Sequence, residues 1–184
     1  MTHRCVKRIR WEKLLVGWMK LNTNGSMFGY LGVAGCGGVI RDDYENWISG
    51  FTKRIGITNS FIAEMWGLRE GLIMCCNLNI ASLIVELDVR AVVDAFNNNH
   101  CVNNIISPIL DDCKLLSSRF SRIQFKHCYR EGNRVADTLA KISYSHEADC
   151  NAFTSPPMDV LKVFEDDCNG VWVSRFCPTP LVIS

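Results

Sequence analysis

The stretch SLIVELD, residues 82–88, decides the fold. It is a nearly continuous apolar run that ends in an aspartate, and turn-like residues of sequence NLN precede it. A short run without polar alternation predicts a strand that is buried on both faces, which is typical of a parallel strand in an α/β sheet. Asp88 then lies at the C-terminal end of the strand, where α/β folds tend to place their chemistry.

Three short strands are predicted upstream of this run. They cover residues 19–25, 34–42 and 46–56, and the polar sequence DDYEN joins the last two in the manner of a hairpin. Three strands in succession predict an antiparallel meander. The sequence NGS at residues 24–26 is expected to end the first strand, because asparagine, glycine and serine are turn-type residues. The glycines of AGCGG at residues 34–38 are expected to permit close packing.

Helical periodicity follows the meander. Residues 58–77 begin with the cap-type sequence TNS and continue with apolar residues at helical spacing. Further helices are predicted at residues 89–98, 107–120 and 133–143, whereas residues 121–130 alternate as a strand should. The predicted order of elements is therefore βββ-α-β-α-α-β-α.

The length of 184 residues suits one domain with extensions. We assign residues 18–145 to the domain. Residues 1–17 form a basic N-terminal arm, for which a solvated tail, a phosphate-contacting arm and a weak nuclear-import signal are the alternatives. Residues 146–184 lose periodicity and form a C-terminal extension, in which the sequence VLKVFEDD predicts one short helix.

Charge and cysteine content exclude several classes of protein. The net charge of +1 excludes a uniformly basic nucleic-acid coat. The ten cysteines contain no C-x-x-C pair, so zinc-ribbon spacing is absent and reduced core thiols are expected. No secretory signal is visible and no apolar run approaches the ~20 residues that span a bilayer. We therefore expect an intracellular protein, nuclear or cytoplasmic, with no membrane partner.

Three acidic residues occupy unusual positions. Glu64 lies in the first turns of an otherwise apolar helix, Asp88 ends the buried strand, and Asp137 lies away from the apolar stripe of the last helix. Each has an ordinary alternative: Glu64 as a solvated helix acid, Asp88 as an N-cap, and Asp137 on a solvated face with Asn133 and Lys141. Carboxylates buried together need compensating cations, and hard oxygen ligands suit Mg²⁺ or Mn²⁺.

The element order, with NTNG, AEMWGL, ELD and NRVADTLA at the matching points, resembles type 1 ribonuclease H. The chain is similar in particular to the ribonuclease H-like domain of plant non-LTR retroelements, a reverse-transcriptase-associated domain, over about residues 18–145. The resemblance implies an α/β fold with a five-stranded mixed sheet, in which three antiparallel strands are followed by parallel strands, flanked by helices.

The resemblance also implies a set of site residues. The family has four metal-binding carboxylates, and Glu64, Asp88 and Asp137 match three of them by position. The fourth position, where relatives typically read N-T-D-G, holds Asn24. His127, on the loop preceding the final helix, resembles the family's mobile histidine, which helps product leave or assists a proton transfer.

The implied activity is endonucleolytic hydrolysis of the RNA strand of an RNA–DNA hybrid by two Mg²⁺ or Mn²⁺ ions. Asn24 offers a neutral carbonyl oxygen in place of a carboxylate, so we expect weak metal binding and very low or no nuclease activity. Glu86 lies two residues before Asp88 on the same strand face, either as a substitute ligand or in an interaction with a basic group.

Contacts to the hybrid are expected at two places. Gly25 and Ser26 are small residues beside the first carboxylate position, where the backbone can approach the 2′-hydroxyls of RNA. Arg122, Lys126 and Arg130 share one strand face at even spacing and form a candidate phosphate-contacting patch, for which a solvated edge strand is the alternative.

Two other functions remain open. The domain is alternatively a catalytically inactive nucleic-acid-binding or scaffold remnant of a retroelement polyprotein, or a 3′–5′ exonuclease of the wider ribonuclease H-like superfamily. The predicted partner is an RNA–DNA hybrid. The chain is expected to be a monomer or part of a larger retroelement protein.

Overall fold

A computed structural model describes residues 4–29, 32–97, 107–145 and 148–178. The strands are β1 (Arg4–Ile9), β2 (Met19–Phe28), β3 (Val33–Arg41), β4 (Trp47–Ile57), β5 (Ser82–Leu87), β6 (Arg122–His127), β7 (Cys150–Phe153) and β8 (Val173–Pro178). The helices are α1 (Ser60–Asn77), α2 (Arg90–Asn97), α3 (Ser107–Ser117), α4 (Arg134–Ile142) and α5 (Met158–Cys168), with a 3₁₀ turn at Arg130–Gly132. The predicted order from the meander to the last domain helix is confirmed. Residue 98, the predicted end of the second helix, and residues 1–3 of the arm lie outside the described part.

A six-stranded mixed sheet forms the centre of the domain, in the order β6-β5-β2-β3-β4-β7. β2, β3 and β4 are antiparallel, whereas β5 runs parallel to both β2 and β6. The predicted α/β fold and mixed sheet are confirmed. The predicted count of five strands is wrong, because β7 of the C-terminal extension pairs with β4 from Gly50↔Phe153 to Lys53↔Cys150.

Helices cover both faces of the sheet, which is why all six residues of β5 are buried. α1 and α4 lie on opposite faces: α1 meets Gly25 of β2, and α4 meets Gly37 of β3, the register partner of Asn24. α3 packs beside α1, and α2 lies against β5 and β6. None of the described helices has the length and apolar character that crossing a membrane requires.

Glycine allows both helices to approach the sheet closely. A Cβ atom on Gly25 would lie 2.5 Å from the backbone nitrogen of Glu64, and one on Gly37 would lie 2.5 Å from that of Ala140. The close-packing role predicted for AGCGG is confirmed. The predicted end of the first strand at residue 25 is wrong, because β2 stays paired with β3 as far as Phe28↔Val33. Gly25 therefore serves helix packing rather than a turn.

The N-terminal arm is part of the folded structure. Ile9 and Trp11 are 8% and 3% exposed, and the Trp11 Nε1 donates a hydrogen bond to Asn22 Oδ1 at 3.1 Å. β1 pairs with β8 in a two-stranded antiparallel sheet, here called the ribbon. The solvated-tail interpretation is therefore wrong for β1, which is paired with β8, and for Ile9 and Trp11, which are buried against the domain.

A buried ion pair links the arm, the meander and the extension. The Arg41 guanidinium lies 4.7 Å from the ring of Trp11 and 4.9 Å from that of Phe164. Its Nη2 lies 2.9 Å from Asp167 Oδ2, while Arg134 Nη2 donates to the other oxygen at 3.1 Å. Burial lowers the pKa of Arg41, and the charge of Asp167 opposes that shift. The predicted helix of the extension, α5, is thus anchored to the sheet.

The cysteines behave largely as core residues. Nine free cysteines lie within the described residues, and Cys36, Cys75 and Cys113 are fully buried, as predicted for core thiols. Burial raises the pKa of Cys113 to about 12, which keeps that thiol protonated. Cys101 lies outside the described residues.

Candidate active site

Asn24 lies on β2 with its side chain directed toward α4. It is 3% exposed, and its Nδ2 donates a hydrogen bond to Asp137 Oδ1 at 2.9 Å. The position predicted for the first carboxylate is therefore in direct contact with the position predicted for the last. An amide can donate to a carboxylate, whereas a second carboxylate here would repel it.

Asp137 occupies the first turn of α4, and Asn133 fixes that turn to the sheet. The Asn133 side chain is buried, and its Nδ2 donates to the carbonyl of Thr23 at 2.9 Å. The backbone carbonyl of Asn133 accepts from the N–H of Asp137 at 3.0 Å. The alternative that placed Asn133 on a solvated face is wrong. This side chain sets the distance between α4 and β2 beside Asn24.

Two cations neutralise Asp137. Arg130 Nη2 lies 2.9 Å from its Oδ1, and Lys141 Nζ lies 2.5 Å from its Oδ2. Arg130 begins the 3₁₀ turn, whereas β6 ends at His127, so the prediction that Arg130 shares a strand face with Arg122 is wrong. Its guanidinium instead compensates a carboxylate of the candidate site.

Glu64 lies near the start of α1, whose N-terminus is capped by Asn59 through a 2.9 Å bond from the Ile62 N–H. It is 5% exposed, and its carboxylate accepts a hydrogen bond from the backbone of Gly25. Burial and the charge of Asp88 raise its pKa to about 9. The side chain therefore holds a proton at neutral pH in the folded protein. The solvated-acid alternative for Glu64 is wrong.

Asp88 directly follows β5 and is half-buried. Burial raises its pKa, with Asp137 adding to the shift and Arg130 and His127 opposing it. Mutual electrostatic effects of this kind arise between groups that lie near one another. The fold thus brings Glu64, Asp88 and Asp137 to one end of the sheet, around Asn24.

His127 is the last residue of β6, rather than a residue of the following loop as expected. It pairs in register with Leu87, the residue before Asp88, so it reaches the same end of the sheet. Its ring packs edge-on against Tyr129 with ring centroids 5.5 Å apart.

A family sequence model described as "Reverse transcriptase-like" matches residues 22–143, which include every residue of this site. The chain belongs to the reverse transcriptase-like family. It carries a ribonuclease H-like domain of the kind found in retroelement proteins, as the motifs around Asn24 and Asp137 predicted.

The chain is similar to an Arabidopsis thaliana protein that is named as a putative ribonuclease H protein. The two are 29% identical over 167 residues, which cover 91% of this chain and 27% of the relative. The chain therefore spans about a quarter of the length of that curated relative.

Solved structures share the fold. The N-terminal ribonuclease H domain of a Mycobacterium tuberculosis protein, solved as a fusion with maltose-binding protein, superposes with a TM-score of 0.66 at 25% identity, over 70% of this chain and 94% of that chain. LC11 ribonuclease H1 in complex with an RNA/DNA hybrid, an enzyme isolated from compost, gives a TM-score of 0.62 at 22% identity, over 67% and 94% of the two chains.

The carboxylate oxygens of this ribonuclease H-like domain are the type of ligand that a hard divalent cation prefers. Glu64 Oε2 and Asp88 Oδ1 are buried oxygens with no hydrogen-bond donor among the described residues. Asp137, in contrast, is already held by cations and by Asn24. Within the described ranges, no three His, Cys, Asp or Glu side chains form a ready metal-binding group. Glu64, Asp88 and Asp137 fit an ion by donor type, provided that Asp137 exchanges its ion pairs.

The predicted phosphate-contacting patch of the domain is divided. Arg122 lies at the N-terminal end of β6, where its Nε donates to Ser82 Oγ at 2.9 Å and its guanidinium covers Trp18 at 4.7 Å. Lys126 is exposed near the other end of the strand, beside His127. Arg122 is therefore remote from the carboxylates, whereas Lys126 lies one residue before His127, toward the end of the sheet that carries them.

The contact predicted between the backbone at Gly25 and Ser26 and the 2′-hydroxyls of RNA remains a prediction. Gly25 and Ser26 are both half-buried, and the side of Gly25 that a Cβ would occupy is already filled by α1. Contacts to 2′-hydroxyls would therefore involve the remaining exposed edge of this strand segment.

Glu86 forms a buried ion pair rather than part of the site. Its Oε1 lies 2.8 Å from Lys20 Nζ, and its Oε2 accepts from Asn22 Nδ2 at 3.2 Å. The alternative of an interaction with a basic group is confirmed.

Sequence reasoning missed the role of Lys141, although its spacing of four residues from Asp137 on one helix is the usual signal of such a pair.

Proposed function

We propose that this chain is a ribonuclease H-type domain that binds RNA–DNA hybrids and whose hydrolysis of the RNA strand is impaired at position 24. One observation carries the proposal: the Asn24 amide donates a hydrogen bond to Asp137 at the centre of the gathered carboxylates. The gathering of Glu64, Asp88 and Asp137 supports a hybrid-cleaving site, and the amide at residue 24 brings no negative charge that would help hold its ions.

Hybrid binding is supported by the fold. LC11 ribonuclease H1, which shares the fold, is in complex with an RNA/DNA hybrid. Lys126 and His127 lie at the end of the sheet that carries the carboxylates, where a backbone phosphate would find positive charge. The domain would act as a monomer or as part of a larger retroelement protein, in the nucleus or the cytoplasm.

When bound, Mg²⁺ or Mn²⁺ ions supply an activated water and stabilise the departing oxyanion. Glu64, Asp88 and Asp137 would hold them. Glu64 must lose its proton for this role, because burial holds its pKa at about 9 before an ion is present. In the proposed reaction, His127 at the end of β6 would help product leave or assist a proton transfer.

The amide at residue 24 weakens this arrangement in two ways. It contributes no charge toward a cation, and its N–H group stabilises Asp137 in the ion-free state. Loss of one well-placed electrostatic group typically reduces the rate about 10²–10³-fold. We therefore expect very low or no turnover with the natural residue.

A cleavage assay of the natural chain beside Asn24→Asp tests the proposal. With a labelled RNA–DNA hybrid and Mg²⁺, Asn24→Asp should cut the RNA strand at least ~10²-fold faster. The double variant Asn24→Asp/Asp88→Asn is the matched control, since it carries the new charge and lacks another ligand, and it should be inactive. Equal and rapid cleavage by the natural chain and Asn24→Asp would show that residue 24 does not limit the reaction.

A catalytically inactive binding module is the second candidate, and the cations on Asp137 favour it. Arg130 and Lys141 provide the charge compensation that carboxylates otherwise obtain from metal ions. An inactive module would retain hybrid equally with Mg²⁺ and with a chelator, and Asn24→Asp would not cut. Metal-dependent cleavage by Asn24→Asp distinguishes the impaired nuclease from this alternative.

A further inference from the structure

The ribbon places two cysteines directly opposite one another. Cys5 of β1 pairs in register with Cys177 of β8, and the strands are antiparallel. Side chains of directly opposed residues project from the same face of a sheet. Opposed Cα atoms in antiparallel pairs are about 4.5–5.5 Å apart, within the range of about 4.4–6.8 Å that a disulfide spans.

Both thiols are free, and reagents can reach them. Cys5 is exposed and Cys177 is half-buried. The Arg175 side chain contacts Cys177 from the same strand. Cys150 is also exposed, but its neighbour across the sheet is Lys53. Cys150 therefore matches the accessibility of Cys5 without having an opposing thiol.

We propose that Cys5 and Cys177 are a redox-active dithiol, which a hydroperoxide oxidises to an intramolecular disulfide. One thiolate attacks the peroxide, so that the O–O bond breaks, a sulfenic acid forms and one molecule of water or alcohol leaves. The second thiol attacks the sulfenic sulfur, so that the S–S bond forms and water leaves. Two thiols are oxidised, one hydroperoxide is reduced, and a thiol reductant reverses the change.

The disulfide would fasten the ribbon over the segment that leads to the candidate site. Lys7 Nζ lies 3.1 Å from the hydroxyl of Tyr129, and Arg175 Nη1 lies 3.0 Å from Glu131 Oε2. Both contacts come from the same ribbon face as the cysteines, since residues two apart on a strand share a face. The segment between these anchors contains Arg130, so oxidation restrains the residue that pairs with Asp137.

A disulfide between residues 5 and 177 closes almost the whole described chain into one loop, and cross-links of long loops restrict the unfolded state most. Oxidation should therefore raise the Tm by about 5–10 °C for a chain of this size. The effect does not require nuclease activity or bound metal, so it is independent of the proposed function.

In the test, the full chain is treated with hydrogen peroxide at low protein concentration, and the remaining free thiols are blocked with an alkylating agent. The protein is then digested, and mass spectrometry identifies linked and alkylated peptides. A linked pair of peptides containing Cys5 and Cys177, with a Tm increase that a thiol reductant reverses, is expected. Cys5→Ser should lose both effects, and the matched control Cys150→Ser should keep both. The proposal would be overturned if Cys5 and Cys177 were alkylated separately after oxidation, or if either were linked to another cysteine or to a second molecule. A Tm increase that persists in Cys5→Ser would overturn it as well.

Discussion

Replacement of Asp167 by asparagine should strongly destabilise the fold. The side chains of Arg41 and Asp167 are 1% and 2% exposed, and Arg41 Nε and Nη1 have no hydrogen-bond partner among the described residues. Asp167→Asn leaves the guanidinium buried between Trp11 and Phe164 without its paired negative charge.

The expected loss is about 3 kcal/mol in the free energy of unfolding. Removal of one partner of a buried ion pair costs about 3–5 kcal/mol, and asparagine keeps an oxygen that can still accept from Arg41 Nη2, which favours the lower end. For a chain of this size, that loss corresponds to a fall in Tm of roughly 6–12 °C. Replacing both members with apolar residues, as in Arg41→Met/Asp167→Leu, should recover only part of the loss, because Arg134 also loses its bond to Asp167.

Urea unfolding followed by tryptophan fluorescence measures this effect, because Trp11 lies over Arg41 and Trp47 packs edge-on against Phe164 at 5.6 Å. Asp166→Asn is the matched control. This neighbouring acid pairs with the exposed Lys162 at 2.5 Å and lies 3.7 Å from Arg134, so its replacement should lower the midpoint much less than Asp167→Asn does. Equal urea midpoints for Asp166→Asn and Asp167→Asn would show that the buried pair does not hold the extension to the sheet.

Three further changes have defined outcomes. Gly37→Ala should lower the free energy of unfolding by about 1–3 kcal/mol, because its Cβ would lie 2.5 Å from the backbone of α4. Gly132→Ala should cost little, because its Cβ would lie 3.4 Å from the carbonyl oxygen of Arg10, and urea midpoints compare the two variants. In a chelating buffer, the free energy of unfolding should fall as the pH rises from about 5 to 9. Folded Glu64, with a pKa of about 9 against an ordinary 4.5, keeps a proton that the unfolded chain releases. Glu64→Gln should flatten this slope in urea titrations across pH, and an unchanged slope would contradict the assignment. Arg130→Ala should tighten Mn²⁺ binding up to about five-fold in calorimetry by releasing one cation from Asp137, and unaltered affinity would show that the exposed pair does not compete with metal.

The central architecture was predictable because local patterns and burial agree there. The apolar run at residues 82–88 gave a buried parallel strand, and the alternation at residues 121–130 gave β6, although three residues too long at its C-terminal end. Alternation of side chains does not reveal where backbone pairing stops. Arg130 was misplaced for that reason, and its pairing with Asp137 depends on the turn that follows the strand.

The two ends of the chain were less predictable. β1 and β8 are paired although more than 160 residues separate them, and β7 finds its place only against β4. Short strands of this kind carry weak local signals, and their pairing depends on contacts between distant parts of the chain. The pairing of Arg41 with Asp167 has the same origin, since neither residue is marked as buried by its neighbours in sequence.

The carboxylate positions followed from motifs, whereas their protonation and pairing did not. The sequence predicted that Glu64, Asp88 and Asp137 belong to one site around Asn24. The high pKa of Glu64 arises from burial and from the charge of Asp88, and both require the folded structure.

The close contact at Gly25 has a consequence for how such a domain can change over time. Gly25 packs against α1, whereas the side chain of the neighbouring Asn24 lies on the opposite face of the strand. Different residues therefore determine the packing of the helix and the charge of the site. A change of charge at residue 24 therefore leaves the surface on which α1 packs unaltered. The same scaffold can therefore carry either an amide or a carboxylate at this position.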